Sequence, residues 1–159
     1  MEESVQQFIE KMGILCEKDG MARSAGRIFG LLLASDRPYS LDEIADKLQV
    51  SKASVSTNAR MLEQLGMIER VSSLGDRRDF YRVEADPWER ILRVAQGRWR
   101  QMLHVLADAR EALPPHMTAG KERLMHAERF HQLLIDETDG LVARWQTLRA
   151  GPGRAEDAA

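Results

Sequence analysis

The sequence Ser51-Lys52-Ala53-Ser54-Val55-Ser56-Thr57 decides how the chain is interpreted, because it opens a helix just after a shorter helical segment. Ser51 is a typical N-cap residue, since its hydroxyl can accept a hydrogen bond from a backbone N–H of the first turn. Gly66 is expected to end the helix, because glycine readily adopts the left-handed conformation found after helix ends. The pattern predicts a helix from Ser51 to Leu65.

The preceding segment predicts a second helix in front of the first. Ser40 and Glu43, three residues apart, have the spacing of a capping box. Four apolar residues then recur at helical spacing and would face inward: Leu41, Ile44, Ala45 and Leu48. Two short helices joined by a tight turn are typical of a helix-turn-helix unit.

The two sides of the later helix differ in character. Val55, Ala59 and Leu62 share the side expected to face the core. The other side is predicted to read DNA. It combines short side chains with two basic residues: Ser51, Lys52, Ala53, Ser54, Ser56, Thr57 and Arg60. Such residues allow a helix N-terminus to approach DNA closely, and hydroxyl and methyl groups can contact base edges. The alternative is that the serines only stabilise the helix and that this side is simply solvated.

A β-hairpin is predicted after this helix. Residues 67–71 alternate apolar and polar side chains, a turn follows at Leu74-Gly75-Asp76, and residues 80–83 would form the returning strand. Asp76, Arg77 and Arg78 are predicted to contact DNA, since an arginine at a hairpin tip can enter the minor groove and a carboxylate can orient it. Taken alone, such a charged run is more often a solvated surface cluster. Its position after two helices favours a wing.

Charge is compatible with this interpretation when it is counted locally. The formal net charge of −2 is unusual for a DNA-binding protein. Residues 51–82, however, contain six basic and four acidic side chains. Attraction to phosphate depends on the local surface, so the total charge excludes indiscriminate coating of nucleic acid but not binding at a site.

Several of these segments together resemble the MarR-type regulators, and among them the GbsR-like branch. The resemblance rests on residues 22–30 (ARSAGRIFG), 41–45 (LDEIA), 51–56 (SKASVS) and 75–78 (GDRR), and it covers about residues 20–86. It implies that the helix-turn-helix reads the major groove and the wing the minor groove, with the family's Asp-x-Arg falling on Asp76 and Arg78. It also implies a homodimer built by the terminal helices and a small molecule that alters the spacing of the wings.

Two long helices are predicted in the remainder, at about residues 88–113 and 118–149. The last one carries a seam with coiled-coil spacing: Leu124, Ala127, His131, Leu134, Thr138, Leu141, Trp145 and Leu148. Contacts between two copies are assigned to six residues: Phe8, Met12, Leu124, Leu134, Leu141 and Leu148. The alternative is a monomer with a self-contained helical bundle. A two-fold dimer would bind a pseudo-palindromic operator, whose half-sites lie about one helical turn apart.

The fold class expected is mainly α with a small β-hairpin wing, in four segments. Residues 1–20 would form an N-terminal dimerisation helix, residues 21–86 the winged helix-turn-helix, residues 87–149 the long dimerisation helices and residues 150–159 a disordered tail. The acidic start Met1-Glu2-Glu3 is unlike a signal peptide, and no apolar run suits a membrane, so a cytoplasmic protein without membrane contact is expected.

Other candidate sites are less specific. Trp88, Trp99 and Trp145 could line an effector pocket, since aromatic cages bind quaternary ammonium groups, although tryptophans at helical spacing usually pack in a core. The four histidines lack the spacing of a dedicated metal site, and the single Cys16 excludes an internal disulfide. No cofactor, metal or catalytic motif is predicted, and the identity of any effector stays open.

The function predicted from these observations is sequence-specific DNA binding by a homodimeric, ligand-responsive transcriptional repressor. The alternative is a winged-helix module that binds another protein and has no specific DNA site.

Overall fold

The computed structural model describes residues 2–73 and 76–150, with the side chains at positions 73, 76 and 77 left out. The elements follow in the order α1 (Glu3–Lys18), α2 (Arg23–Leu33), β1 (Tyr39–Ser40), α3 (Leu41–Leu48), α4 (Lys52–Gln64), β2 (Ile68–Ser73), β3 (Asp76–Val83), α5 (Pro87–Ala112) and α6 (Thr118–Ala150). The prediction of a mainly helical fold with a small β-hairpin is confirmed. The chain divides within α5, after Ile91, into two compact units.

The sheet has three antiparallel strands in the order β1-β3-β2. Strands β2 and β3 form the predicted hairpin, in which Glu69 pairs with Arg82 and Val71 with Phe80. Strand β1 was not predicted, because two residues are too short to show an alternating pattern. Its pairing of Tyr39 with Tyr81 attaches the residues just before α3 to the returning strand of the hairpin.

The core of the first unit is built from both helices of the helix-turn-helix, from α1 and α2, and from the sheet. Val55, Ala59 and Leu62 of α4 are fully buried, so the predicted inward side is confirmed. They pack in one cluster with apolar side chains of the other elements: Ile9, Ile28, Phe29, Leu32, Ile44, Leu48 and Ile68. This burial fixes which side of α4 faces solvent.

Helix α1 packs closely on α2 within the same unit. Ile9, Gly13 and Cys16 are buried, and Met12 is half-buried against the core. A Cβ atom added to Gly26 of α2 would lie 2.8 Å from the Cβ of Cys16, so glycine is needed for this approach. Part of the apolar face that was predicted for dimerisation is therefore used inside one chain, while Phe8 stays exposed. Dimer contacts by Phe8 and Met12 remain a prediction.

The second unit pairs the rest of α5 with α6. The buried Gln96 side chain donates a hydrogen bond to the carbonyl oxygen of Ile135 at 2.9 Å, and Arg93 pairs with Asp139. The buried face of α6 consists of Ile135, Thr138 and Val142. Of these three, Thr138 belongs to the predicted seam, whereas Leu141 and Leu148 of that seam are 45% and 76% exposed.

The ends of the long helices lie close to their predicted positions. Ala150, which had been assigned to the tail, is the last residue of α6. The remaining residues predicted to be disordered, 151–159, lie outside the described part of the chain. Along residues 2–73 and 76–150, no helix combines the length and apolar character needed to cross a membrane.

Substitution of Gly26 tests the close contact between α1 and α2. We expect Gly26→Ala to lower the free energy of unfolding by about 1–3 kcal/mol, because the new methyl group would overlap the backbone of Met12 and the side chain of Cys16. Gly97 of α5 is the matched control, since nothing lies within 4 Å of a Cβ placed there. Gly97→Ala should raise stability by up to about 1 kcal/mol. Urea unfolding measures both, and equal effects would contradict the proposed packing.

Candidate nucleic-acid interface

The helix-turn-helix is held by the two predicted N-caps. Ser51 Oγ accepts a hydrogen bond from the backbone N–H of Ser54 at 3.1 Å, which confirms Ser51 as the N-cap of α4. At α3 the capping box is complete, since Ser40 Oγ accepts from the backbone N–H of Glu43 and the Ser40 N–H donates to Glu43. Gln49 ends α3 with φ of 53°, a left-handed conformation that turns the chain toward α4.

Most of the residues predicted to read DNA are exposed at α4, and their contact with DNA remains a prediction. Ser51, Lys52, Ala53, Thr57 and Arg60 are all exposed. Ser56 is half-buried, and its hydroxyl accepts a hydrogen bond from Arg60 Nη2 at 3.2 Å. This hydrogen bond joins successive turns of α4, so the surface offers short groups at the helix start and a guanidinium one turn later.

Ser54 is also half-buried, and its contact with DNA remains a prediction. Its hydroxyl lies 3.5 Å from Ser24 Oγ of α2. The buried Asn58 completes this junction, because its Nδ2 donates to Ser24 Oγ at 2.9 Å and to the Ser54 carbonyl at 2.8 Å. Asn58 had not been identified from the sequence, although an amide next to Ala59 and between Val55 and Leu62 was a usable signal.

The hairpin carries both basic and acidic side chains. Arg78 is exposed, with its guanidinium carbon 5.3 Å from the centre of the Phe80 ring. Asp79 pairs with Arg70 on the neighbouring strand at 3.2 Å. The predicted turn at residues 74–75 lies outside the described residues, as do the side chains of Asp76 and Arg77.

Carboxylates lie beside several of the cations at this surface. Lys52 Nζ is 2.9 Å from Asp42 Oδ1, and this hydrogen bond raises the pKa of Lys52. Arg82 pairs with Glu69 at 2.6 Å, and Arg37 pairs with Glu43 at 2.8 Å. Asp42 was also missed from the sequence, because the ion pair joins residues of two different helices.

The residues predicted for an effector pocket are divided between the two units. Trp88 belongs to the first unit, is 47% exposed and makes an edge-to-face contact with Phe29. Trp99 and Trp145 belong to the second unit, where both are half-buried. A pocket shared by the three remains a prediction. Across the described residues, His, Cys, Asp and Glu form no group of three or more that could hold a metal ion.

Comparison with known proteins shows which families and relatives the sequence is similar to. Residues 19–79 match the family model described as the MarR family. The HTH-type transcriptional regulator MmpR5 of Mycobacterium tuberculosis is 43% identical over 83 residues, which are 52% of this chain and 50% of that protein. The HTH-type transcriptional repressor GbsR of Bacillus subtilis is 25% identical over 111 residues, 70% of this chain and 61% of the relative.

A solved structure matches along nearly the whole length. It is described as the crystal structure of a transcriptional regulator, with a TM-score of 0.86 and 28% identity. The match covers 91% of this chain and 99% of that one. By contrast, the chain spans about half to three fifths of the length of the two curated relatives above.

The capping box at the start of α3 is expected to make the stability of the protein depend on pH. The hydrogen bond from Arg37, followed by that from Ser40, lowers the pKa of Glu43 from 4.5 to about 2. A lowered folded-state pKa contributes stability above the ordinary pKa, and this contribution is lost as the pH falls toward the folded value. The native protein should therefore have a higher free energy of unfolding than Glu43→Gln at neutral pH. This difference should disappear as the pH falls from 4.5 to about 2.

Urea unfolding over a pH series measures this difference. Glu17→Gln, an exposed substitution of the same type near the end of α1, is the control. A stability difference for Glu43→Gln that stays constant across the acidic range would argue against the ionised cap.

Proposed function

We propose, on the premise that residues 19–79 form a domain of the MarR family, that the chain is a sequence-specific DNA-binding transcriptional repressor. The observation that carries the proposal is the exposed side of α4 near its N-terminus. Ser51, Lys52, Ala53 and Thr57 are exposed there, whereas the opposite side of the helix is buried in the core. Short side chains there let the helix enter the major groove, where hydroxyl and methyl groups meet base edges.

The hairpin supplies the second contact. Arg78 is exposed on β3, in the strand that returns from the tip. We place Arg78 in or beside the minor groove, with Asp76 and Arg77 next to it at the start of the strand. Arginine suits this position because a narrow minor groove concentrates negative potential. The wing would then supply sequence-independent affinity, and α4 would supply the sequence preference.

The short side chains of α4 are expected to give one protomer too little affinity for DNA by itself. One protomer offers few groups capable of strong base contacts, so two recognition helices on a pseudo-palindrome would be needed for adequate affinity. The exposed Leu141 and Leu148 of α6 support a homodimer, because isolated chains rarely expose such stripes without a partner. Leu124, Leu134, Phe8 and Met12 are assigned to the same contact.

Regulation by a small molecule is part of the proposal. The terminal helices would connect the two DNA-binding domains, so a ligand between them could change the distance between the recognition helices. Trp88, Trp99 and Trp145 are the aromatic side chains proposed to line its site. The protein would act in the cytoplasm, without a metal or an enzymatic step, and placement within the GbsR-like branch is part of the same proposal.

Arg78→Ala tests the wing. We expect weaker binding to every DNA duplex and a salt dependence of log K that is less steep by about one per protomer, because one phosphate contact is lost. Thr57→Ala should instead cost about 1–3 kcal/mol at particular base pairs and leave the salt slope unchanged. Arg98→Ala, an exposed charge loss on α5, is the matched control.

Fluorescence anisotropy with a duplex selected by the protein from a random library measures these effects. An unchanged salt slope for Arg78→Ala would remove the wing from the contact model. Failure of the native protein to select any sequence would favour a protein-interaction module over a repressor.

Leu141→Glu tests the dimer. A charge in the exposed stripe of α6 should convert the dimer to a monomer, because the carboxylate would lose its hydration on association. Light scattering after gel filtration measures the mass, and Gln132→Glu, also exposed on α6, is the control. A native protein that is monomeric, or a Leu141→Glu variant that stays dimeric, would contradict this interface.

A further inference from the structure

A polar junction lies behind the exposed side of α4, where this helix packs on α2. Asn58 is only 8% exposed. Its Nδ2 donates to Ser24 Oγ at 2.9 Å and to the Ser54 carbonyl oxygen at 2.8 Å. The Ser54 hydroxyl lies 3.5 Å from Ser24 Oγ and so belongs to the same junction. Ser24 of α2 is thus the group to which two successive turns of α4 are joined.

This junction differs in kind from the apolar contact beside it. Val55, Ala59 and Leu62 are fully buried, which decides the side of α4 that faces the core. Hydrophobic attraction has no preferred direction, however, so it restrains a small shift of the helix less sharply. A hydrogen bond weakens steeply when its donor and acceptor move apart or out of line. Asn58 therefore adds a directional restraint on the first two turns of α4.

Ser24 is a firm point of attachment, because α2 is closely held on α1. Arg23, the residue before Ser24, pairs with Glu10 of α1 at 3.0 Å. Gly26 packs so closely on α1 that a Cβ atom there would overlap the backbone of Met12. A shift of α4 would not be followed by Ser24, and it would break the hydrogen bond from Asn58.

The residues next to the junction are those proposed to read base pairs. Ala53 and Thr57 directly precede Ser54 and Asn58 in the sequence, and both are exposed. Such short side chains cannot compensate for a displacement of the helix, whereas long basic side chains can still reach phosphates. A shift of α4 should therefore weaken sequence-specific binding more than binding to arbitrary DNA.

We propose that Asn58 is a positioning residue for sequence recognition, which acts through Ser24 to hold α4 where Ala53 and Thr57 reach base edges. The proposal rests on the DNA-binding function proposed above. Asn58 itself stays buried and does not contact DNA. A single hydrogen bond shifts an equilibrium by about two- to tenfold. Affinity for the correct sequence falls with the fraction of protein in which α4 is correctly placed.

Asn58→Ala tests this role. It should bind the selected duplex about threefold more weakly per protomer, about tenfold for a dimer, because α4 is correctly placed for less of the time. Affinity for a scrambled duplex should change by less than about twofold, and the salt slopes should stay the same, since no phosphate contact is lost. Fluorescence anisotropy over a salt series measures both, with a duplex selected from a random library by the native protein and its scrambled counterpart.

Ser24→Ala removes the same hydrogen bond from the side of α2 and leaves the sequence of α4 intact. Ser24 is half-buried, so this variant is the milder of the two. Discrimination between the selected and scrambled duplexes should fall as it does in Asn58→Ala. The double variant should lose no more than Asn58→Ala alone, because both substitutions break one interaction.

Ile9→Val is the control for a general loss of stability. Ile9 is buried in α1 beside Gly30, toward the other end of α2 from Ser24. Its shortening should lower the free energy of unfolding, because a buried methyl group is removed from the same core. Discrimination between the two duplexes should stay at the native value, since the polar junction is intact.

The outcomes distinguish this inference from the function on which it rests. A native protein that selects no sequence would overturn the repressor proposal, and the inference with it. If the native protein does select a sequence, three results would overturn only the role of Asn58. These are native discrimination in Asn58→Ala or Ser24→Ala, losses that add in the double variant, and an equal loss of discrimination in Ile9→Val.

Discussion

The burial of one side of α4 is the constraint on which the rest of the first unit depends. Val55, Ala59 and Leu62 are removed from water completely, which sets the rotation of the helix about its own axis. The Asn58–Ser24 hydrogen bond then sets its position along α2, because a buried amide is costly without a partner. Together they present Lys52, Ala53 and Thr57 to solvent, and the hairpin and the N-terminal helices are arranged around that framework.

Much of the fold could be predicted from local pattern. Capping residues and helical spacing located α3 and α4, since a cap and an apolar face are properties of one helix. The parts that were missed depend on distant pairs. Strand β1 exists only through its pairing with β3, the inward turn of Ser54 depends on Ser24, and the pairing of Lys52 with Asp42 crosses from one helix to another. A periodicity within one segment contains none of this information.

The terminal helices show a related limit. The heptad spacing of α6 was clear, but spacing alone does not say whether an apolar stripe meets its own chain or another. Ile135 and Val142 are buried within the unit, whereas Leu141, which is next to Val142 in the sequence, and Leu148 are exposed. Likewise Met12 packs on the core beside an exposed Phe8. An amphipathic helix can therefore pack within its own chain on one part of its apolar face and contact a second chain with another part. Only the packing within the chain shows which apolar residues stay exposed for the second contact.

The two-residue strand β1 has a consequence for the order in which the chain folds. The β2–β3 hairpin joins neighbouring segments, but the pairing of Tyr39 with Tyr81 closes a loop that contains both α3 and α4. Closing a long loop costs entropy that is recovered only once its interior is compact. The sheet should therefore be completed late, after the two helices have docked. During synthesis on the ribosome, the half-made domain would remain open until β3 has emerged.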